Sequence, residues 1–209
     1  MRISIGKFQE LYQISKSDID ELEKSILLVA SLTGKEKDEV EKMDVSKFNI
    51  LCKNLNDKLN LQALIDKEGK PVNYVNVKGK RYFVNYDLSK KPMNSGRYVE
   101  IATYSDDIIG NLHKIMATMV TPLKFTWKGF VVDQRKDHKQ ISEDMLQMDF
   151  NVAYHSCIFF YALFLKSIES SITYFTSISD KEIVQSLMKN LAVVMDGYIT
   201  ANWYRNLKI

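Results

Sequence analysis

The chain has 209 residues, 45% hydrophobic and 26% charged, a balance that is typical of folded globular proteins and excludes a largely disordered chain. Its 29 basic and 26 acidic side chains give a formal net charge of +3 and are mostly interleaved, which argues against a dedicated nucleic-acid-binding protein. The longest apolar run, residues 157–165, is too short to span a bilayer, and the first residues lack the apolar stretch of a secretory signal. We therefore expect no membrane insertion.

The first sixty residues predict a compact helical module. Apolar residues at helical spacing begin with Ile5 and Phe8 and predict a short first helix. Ser17, followed three residues later by Asp20, predicts the N-terminal cap of a second helix that ends at Gly34. A short third helix follows, and a fourth is predicted to start at Asp44.

Residues 72–86 predict an antiparallel hairpin. Two segments rich in Val, Tyr and Phe, 72–77 and 81–86, flank the turn Lys78-Gly79-Lys80. Alternation along the second strand places Tyr82, Val84 and Tyr86 on one face, and Arg81, Phe83 and Asn85 on the other.

The rest of the chain predicts further helices with one ambiguous interruption. Residues 97–104 fit either a strand or a helix, whereas a helix starting at Ser105 or Asp106 should stop near Pro122. Residues 123–133 indicate a strand or irregular structure around Gly129. A long helical pattern then runs from 142 to 175, and a final helix is predicted after Ser179-Asp180.

These elements together predict a predominantly helical α+β fold. It comprises an N-terminal helical module, a central β-hairpin or small antiparallel sheet, and long C-terminal helices. We place the domain boundary after residue 66, so that residues 1–66 form the helical module and 67–209 hold the hairpin and the C-terminal helices.

No catalytic or cofactor-binding motif is apparent. The eight glycines occur in neither of the phosphate-binding spacings. His113, His138 and His155 are scattered, and His155 with Cys157 lacks two further ligands for a zinc site. Paired carboxylates lie in first turns of predicted helices, where they complement the helix dipole. We therefore expect no enzymatic activity, no cofactor and no metal.

The two cysteines, Cys52 and Cys157, lie far apart in apolar helical contexts. Reduced, buried thiols are the favoured reading, with a disulfide between them as the alternative. The Met residues on apolar faces, such as Met116 and Met145, predict core packing rather than an adaptable groove.

The order of motifs resembles a class of bacteriophage proteins. The opening IGKFQELYQI…SLTGKEKDEVEKMDVSKF, the middle KRYFVNYDLSK…YVEI…NLHKIMA and the late FFYALFL segment are similar to small tail, connector or tail-assembly-chaperone-like proteins. These belong to tailed phages of AT-rich Bacteroidetes-type hosts, including the crAss-like group. The resemblance covers most of the chain and carries no catalytic residues.

This resemblance implies a non-enzymatic structural protein of the phage tail or neck. It would form a homo-oligomeric ring or stack, contact other tail or neck proteins, and reside in the virion after assembly in the host cytoplasm. One alternative is a tail assembly chaperone that leaves before maturation. DNA would be met only in passing through a lumen.

A second alternative is a nucleic-acid-binding accessory protein that uses the basic turn of the hairpin, where Lys78, Lys80 and Arg81 lie beside Tyr82 and Phe83. A solvated hairpin tip is the simpler reading of that turn. For the structural protein we predict contact residues in the first helix and the hairpin: Phe8, Tyr12, Lys78, Lys80, Arg81, Tyr82 and Phe83.

Overall fold

A computed structural model describes residues 2–59, 69–86, 95–135 and 137–172. The chain begins with four helices, α1 Ile5–Lys16, α2 Glu21–Thr33, α3 Lys37–Glu41 and α4 Val45–Leu59. A hairpin of β1 Tyr74–Val77 and β2 Lys80–Val84 follows, then α5 Ser95–Tyr104, a short 3-10 turn and α6 Ile108–Met119. The remaining elements are β3 Val120–Thr126, β4 Gly129–Val132, α7 His138–Met145 and α8 Phe150–Ile172. The prediction of a predominantly helical α+β fold is confirmed.

The caps around the second helix differ from the prediction. Asp20, not Ser17, is the N-cap of α2, because its carboxylate accepts hydrogen bonds from the backbone N–H groups of Leu22 and Glu23. Ser17 instead ends α1, where its hydroxyl donates to the Ile14 carbonyl at 2.6 Å. Gly34 ends α2 as predicted, in the left-handed region with φ of 70°.

The first hairpin has a two-residue connection. Lys78 and Gly79 both have positive φ, 50° and 72°, which is the backbone of a type I′ turn and matches the twist of the two strands. The predicted alternation is confirmed on the inner face, because Tyr82 and Val84 are fully buried.

The helix that was predicted to stop near Pro122 does so. Helix α6 ends at Met119, and Pro122 itself lies within β3, opposite Tyr82 of β2. Its carbonyl accepts a hydrogen bond from the Asp133 N–H at 2.8 Å, just beyond the end of β4. In a strand the N–H and C=O of one residue point to the same side. The N–H that Pro122 lacks would therefore point to the position just beyond the end of β4, so no hydrogen bond between β3 and β4 is lost.

Two further segments are settled by the structure. Residues 97–104, which fitted a strand or a helix, belong to α5. The long helix predicted from residue 142 is two helices, α7 and α8, capped by Asp137 and Asp149. The N-terminal segment separates them, since Ile5 and Gly6 donate backbone hydrogen bonds to the carbonyls of Met148 and Leu146. The helix predicted after Ser179-Asp180 lies outside the described residues.

Two separate hydrophobic clusters hold the described residues together. The larger joins α1, the inner sheet face, and helices α5 to α8, with the rings of Phe8 and Phe150 stacked at its centre. The smaller is built from α2, α3 and α4 around Val29, Val40 and Leu55. Helix α1 is tied to α6 by Gln9, whose amide donates to the carbonyls of Ile109 and Gly110. The predicted boundary at residue 66 lies outside the described residues.

The cysteines lie in different clusters and both thiols are free. Cys157 is fully buried on α8, and burial raises the pKa of its thiol. Cys52 is half-buried on α4, and burial raises its pKa as well. Both thiols are therefore protonated and poorly reactive at neutral pH, and they act as small apolar side chains.

Within the described part of the chain, none of the helices combines the length and the apolar character needed to cross a membrane.

Gly69 packs directly on the imidazole of His155, and a Cβ added there would overlap the ring. We expect Gly69→Ala to lower the free energy of unfolding by about 3 kcal/mol, since His155 is itself buried and cannot move aside. Chemical denaturation measures the loss. Gly34→Ala is the control, because it meets no neighbour within 4 Å and carries only backbone strain of about 1 kcal/mol. Equal losses in the two variants would contradict the packing of Gly69 on His155.

Candidate contact surface

The two faces of the sheet have opposite surroundings. The strands run in the order β1-β2-β3-β4, all antiparallel. Val75, Tyr82 and Val84 point inward and join the larger core. The other face carries side chains that are half-exposed or exposed, so the sheet covers the core with one side and presents the other to solvent.

A buried carboxylate fixes this sheet to the helical body. Asp144 of α7 accepts hydrogen bonds from the Tyr82 hydroxyl at 2.5 Å and from the Lys80 ammonium at 2.9 and 3.1 Å. The Lys78 ammonium lies 4.0 Å from the same carboxylate. The Asp144 side chain is only 7% exposed, so these partners compensate for the removal of its carboxylate charge from water. We call Lys78, Lys80, Tyr82 and Asp144 the Asp144 clamp.

Burial and the neighbouring Asp144 carboxylate raise the pKa of Tyr82 well above its ordinary value. The phenol therefore stays protonated and acts as a donor to Asp144 over the physiological range. This arrangement can hold a strand in place, but Tyr82 itself does not ionise at neutral pH and so cannot accept a proton there.

A continuous line of aromatic rings crosses the outer face of the sheet. The Arg81 guanidinium lies between two rings, 4.7 Å from the centroid of Tyr74 and 4.6 Å from that of Phe130. Beyond these, the rings of Tyr74 and Phe83 and those of Phe130 and Phe125 are each 5.4 Å apart. We call Tyr74, Arg81, Phe83, Phe125 and Phe130 the aromatic row.

The row ends at the tip of the second hairpin, which carries the most exposed large side chain in the described part of the chain. Trp127 is 89% exposed and Phe125 is 74% exposed. The Lys128 ammonium lies 4.7 Å from the centre of the Trp127 ring. Exposed aromatic rings of this kind, rimmed by cations, are characteristic of contact surfaces.

Among the described residues, strand β4 pairs only with β3 and so forms an open edge of the sheet beside the row. The two-residue turn and the bond from the Asp133 N–H to the Pro122 carbonyl fix the alternation of hydrogen bonds along β3 and β4. The N–H and C=O groups of Phe130 and Val132 therefore point away from β3, towards the edge. Apolar side chains on both faces leave this edge without the charges that usually protect one.

The charge of the sheet region differs from that of the whole chain. Residues 69–86 and 120–135 contain seven basic side chains and one acidic one, a net charge of +6 (7 − 1). These are Lys70, Lys78, Lys80, Arg81, Lys124, Lys128, Arg135 and Asp133. The whole chain has a net charge of only +3, so the remainder is net negative. Basic and acidic residues are interleaved along the sequence, but the fold gathers the basic ones in the sheet region.

The structure places the seven predicted contact residues in different surroundings. Phe8 and Tyr82 lie in the core, so their rings have no surface to offer, because each stands on the inward side of its element. Arg81 and Phe83 belong to the aromatic row, Lys78 and Lys80 to the Asp144 clamp, and Tyr12 is half-buried beside Phe8. The function of these residues as contacts stays a prediction.

Sequence reasoning did not single out Tyr74, Phe125, Trp127 or Phe130 as contact residues. The available signal was the segment KFTWKGFVV, in which apolar side chains fall on both faces of a short hairpin with lysines beside them. A half-buried strand would alternate between apolar and polar side chains, and this segment does not.

The nearest approach to a catalytic arrangement is a group of Thr118, His138 and Glu100. The Thr118 hydroxyl lies 3.2 Å from His138 Nε2 and 3.3 Å from Glu100. Thr118 is buried on α6, so its oxygen is closed to a substrate. Glu100 approaches the same Nε2 atom at 3.9 Å instead of orienting the opposite nitrogen, which a nucleophile–base–acid triad requires.

The described residues include no group of three His, Cys, Asp or Glu side chains that could hold a metal ion. A shallow cavity of about 470 Å³ opens between the N-terminal segment and β1, with Arg2 and Asp149 on its wall. The Asp149 carboxylate accepts the Val152 N–H as the cap of α8, which accounts for it structurally.

The chain was compared with protein-family models, curated proteins and solved structures, and none of them matches it.

We expect Asp144→Asn to be strongly destabilising. The amide cannot compensate Lys80 and gives Tyr82 a weaker acceptor, so we expect a loss of about 3 kcal/mol in the free energy of unfolding. Tyr82→Phe removes one hydrogen bond and should cost about 1 to 2 kcal/mol. Urea denaturation measures both, with Lys128→Gln, an exposed cation on the same sheet, as a control within about 0.5 kcal/mol. A smaller loss for Asp144→Asn than for Tyr82→Phe would contradict the central position of the carboxylate.

Alkaline pH should unfold the protein through its buried tyrosines. Burial raises the pKa of Tyr82, Tyr154 and Tyr161 above the ordinary value of 10.0. A pKa that is higher in the folded state gives stability that is complete below the unfolded pKa and is lost as pH rises above about 10. Phenolate absorbance and circular dichroism, followed together, should show these tyrosines ionising only as the protein unfolds. Ionisation of all 11 tyrosines near their ordinary pKa in a folded protein would contradict this expectation.

Proposed function

We propose that this chain is a non-enzymatic assembly protein of the phage tail or neck, as its sequence resemblance implies. It acts by associating with copies of itself and with other tail proteins, and the outer face of its sheet is the contact surface. The observation that carries the proposal is the aromatic row with Trp127, exposed on a sheet whose opposite face is buried and clamped.

The magnitude of this exposure supports a partner. Trp127, Phe125, Tyr74 and Phe130 are each about half to nine-tenths exposed, which amounts to roughly 500 Å² of aromatic side chain. Covering it would release on the order of 10 kcal/mol at about 25 cal/mol per Å². Association costs of about 4 to 15 kcal/mol offset much of that gain, so the apolar area that the partner buries in turn has to contribute as well. Apolar patches of this size are often functional.

The rigidity of the surface also suits an assembly protein. Rings that stand on strands lose little conformational freedom when a partner covers them, since they have only two side-chain torsions. Arg81 is already held between two rings. The surface is therefore largely preorganised, which reduces the entropy lost on binding.

Removing the two most exposed rings tests the proposal. We expect Trp127→Ala with Phe125→Ala to weaken self-association at least tenfold, because more than half of the exposed aromatic area is lost. Sedimentation velocity or mass photometry over a concentration series measures the effect, and the melting temperature should stay unchanged. Val99→Ala on α5 is the control, since Val99 is similarly exposed but lies outside the sheet. Wild-type protein that remains monomeric at every concentration, or a double variant that associates normally, would sink this proposal.

A second candidate function is the binding of single-stranded nucleic acid. It is favoured by Arg81 between two rings and Lys128 over Trp127, since bases stack on rings and cations contact phosphates. The basic turn on which it was first based is less suitable, because Tyr82 is buried and Lys80 is bound to Asp144. Fluorescence anisotropy with labelled oligo(dT) at low salt decides it. Undetectable binding there excludes the nucleic-acid function, because phosphate contacts are strongest at low salt.

A further inference from the structure

We infer that the sheet of one copy docks on the acidic surface of helices α2 and α3 of the next copy, in a head-to-tail interface. The inference rests on the proposed self-association and names the two surfaces that meet. It follows from the complementary charge and apolar exposure of two separate parts of the same chain.

The first complementary feature is the charge of the α2–α3 region. Residues 18–44 contain nine acidic and four basic side chains, a net charge of −5 (4 − 9). Eight of the nine acidic side chains are exposed, and the ninth, Glu23, is half-exposed. The sheet region has a net charge of +6, or +5 (6 − 1) once the Asp144 carboxylate that binds Lys80 is included, so it is opposite in sign and similar in size. Opposite potentials of this kind steer association and fix its orientation.

The lysines of the acidic region do not cancel its field. Lys24 pairs with Glu21 at 2.8 Å, Lys35 with Glu39 at 3.0 Å and Lys37 with Glu23 at 2.7 Å. Each pair is locally neutral, so the surplus charge is carried by other exposed carboxylates, notably Asp18, Glu36 and Asp38. Glu36, the N-cap residue of α3, accepts no cap hydrogen bond through its side chain, which leaves it available to a basic partner.

The second complementary feature is apolar. Helices α2 and α4 expose Leu22, Val45 and Ile50, each of which is between 62% and 70% exposed. Single exposed apolar residues are ordinary, but these three stand on two helices that share the smaller hydrophobic cluster with α3. Exposed aliphatic side chains on an acidic helical module can match exposed aromatic rings beside lysines, as an apolar centre with a polar rim requires.

Contact between two identical surfaces is disfavoured by the same charges. Sheet against sheet would bring two regions of +6 together, and helix against helix two regions of −5, so a symmetric pair would be repulsive in either case. Two different patches must therefore meet. Such a heterologous contact leaves one unused patch at each end and continues into a closed ring or an open filament.

A complementation experiment tests the inference. The sheet variant carries Phe125→Ser and Trp127→Ser, which remove the exposed rings without adding charge, and the helix variant carries Leu22→Lys and Glu36→Lys. Every substituted side chain is exposed, so both variants should fold, and their melting temperatures verify this. The serines on one altered surface and the lysines on the other cannot compensate each other. Val99→Lys is the control for the added positive charge and should assemble like the wild type.

Native mass spectrometry reads out the species. Each variant alone should associate at least tenfold more weakly than the wild type, whereas an equimolar mixture should form a two-chain particle of twice 24.2 kDa and nothing larger. In that particle the intact helix surface of the sheet variant contacts the intact sheet of the helix variant. The two surfaces left over are the altered ones, so no third chain can bind.

The other outcomes separate the inference from the proposal on which it rests. If the sheet variant is monomeric but the helix variant assembles normally, the head-to-tail contact is overturned and the sheet remains a contact surface. If both are monomeric and the mixture gives no two-chain particle, the two surfaces do not meet each other and the inference fails. If both variants assemble normally, the proposed function fails together with the inference.

Discussion

The buried carboxylate of Asp144 is the interaction on which the arrangement of this protein depends. It draws Tyr82 and Lys80 of the central hairpin onto helix α7, 62 and 64 residues away in sequence. One face of the sheet is thereby fixed over the core and the other is left to solvent. Because the clamp uses two lysines of the hairpin turn, it also decides which cations remain on the outer face. Those are Arg81 within the aromatic row and Lys128, which lies over Trp127 at the tip of the second hairpin.

Much of the fold could be predicted from local chemistry. Gly79 in a short turn between alternating Val, Tyr and Phe predicts the hairpin, and Gly34 and Asp44 predict the end of α2 and the start of α4. The errors arose where two possible caps compete, as Ser17 and Asp20 do at the start of α2, or where a distant segment intervenes. Pro122 follows the end of a helix as expected, and β3 tolerates it because the neighbouring strand has ended there. The division between α7 and α8 depends on hydrogen bonds from residues 5 and 6, which no local pattern contains.

The contact surface was predicted only in part, for a different physical reason. Alternation in β2 correctly separates Tyr82 from Arg81 and Phe83, but a sequence does not reveal which hairpin is covered. Phe125 and Trp127 read as strand residues, and their exposure appears only once β4 is seen to be an edge with solvent beyond it. The charge sorting is likewise invisible in a net charge of +3. It arises because the basic strands meet in one sheet while the acidic helices form a separate cluster.

The central claim is that the outer sheet face and the α2–α3 surface are buried together when the protein assembles. Hydrogen–deuterium exchange at low and high protein concentration measures this directly. We predict slower exchange at high concentration in peptides that cover residues 120–132 and 18–44, including the edge amides of Phe130 and Val132, with no change in α8. Assembly without protection in either peptide, or with protection confined to other helices, would contradict the account.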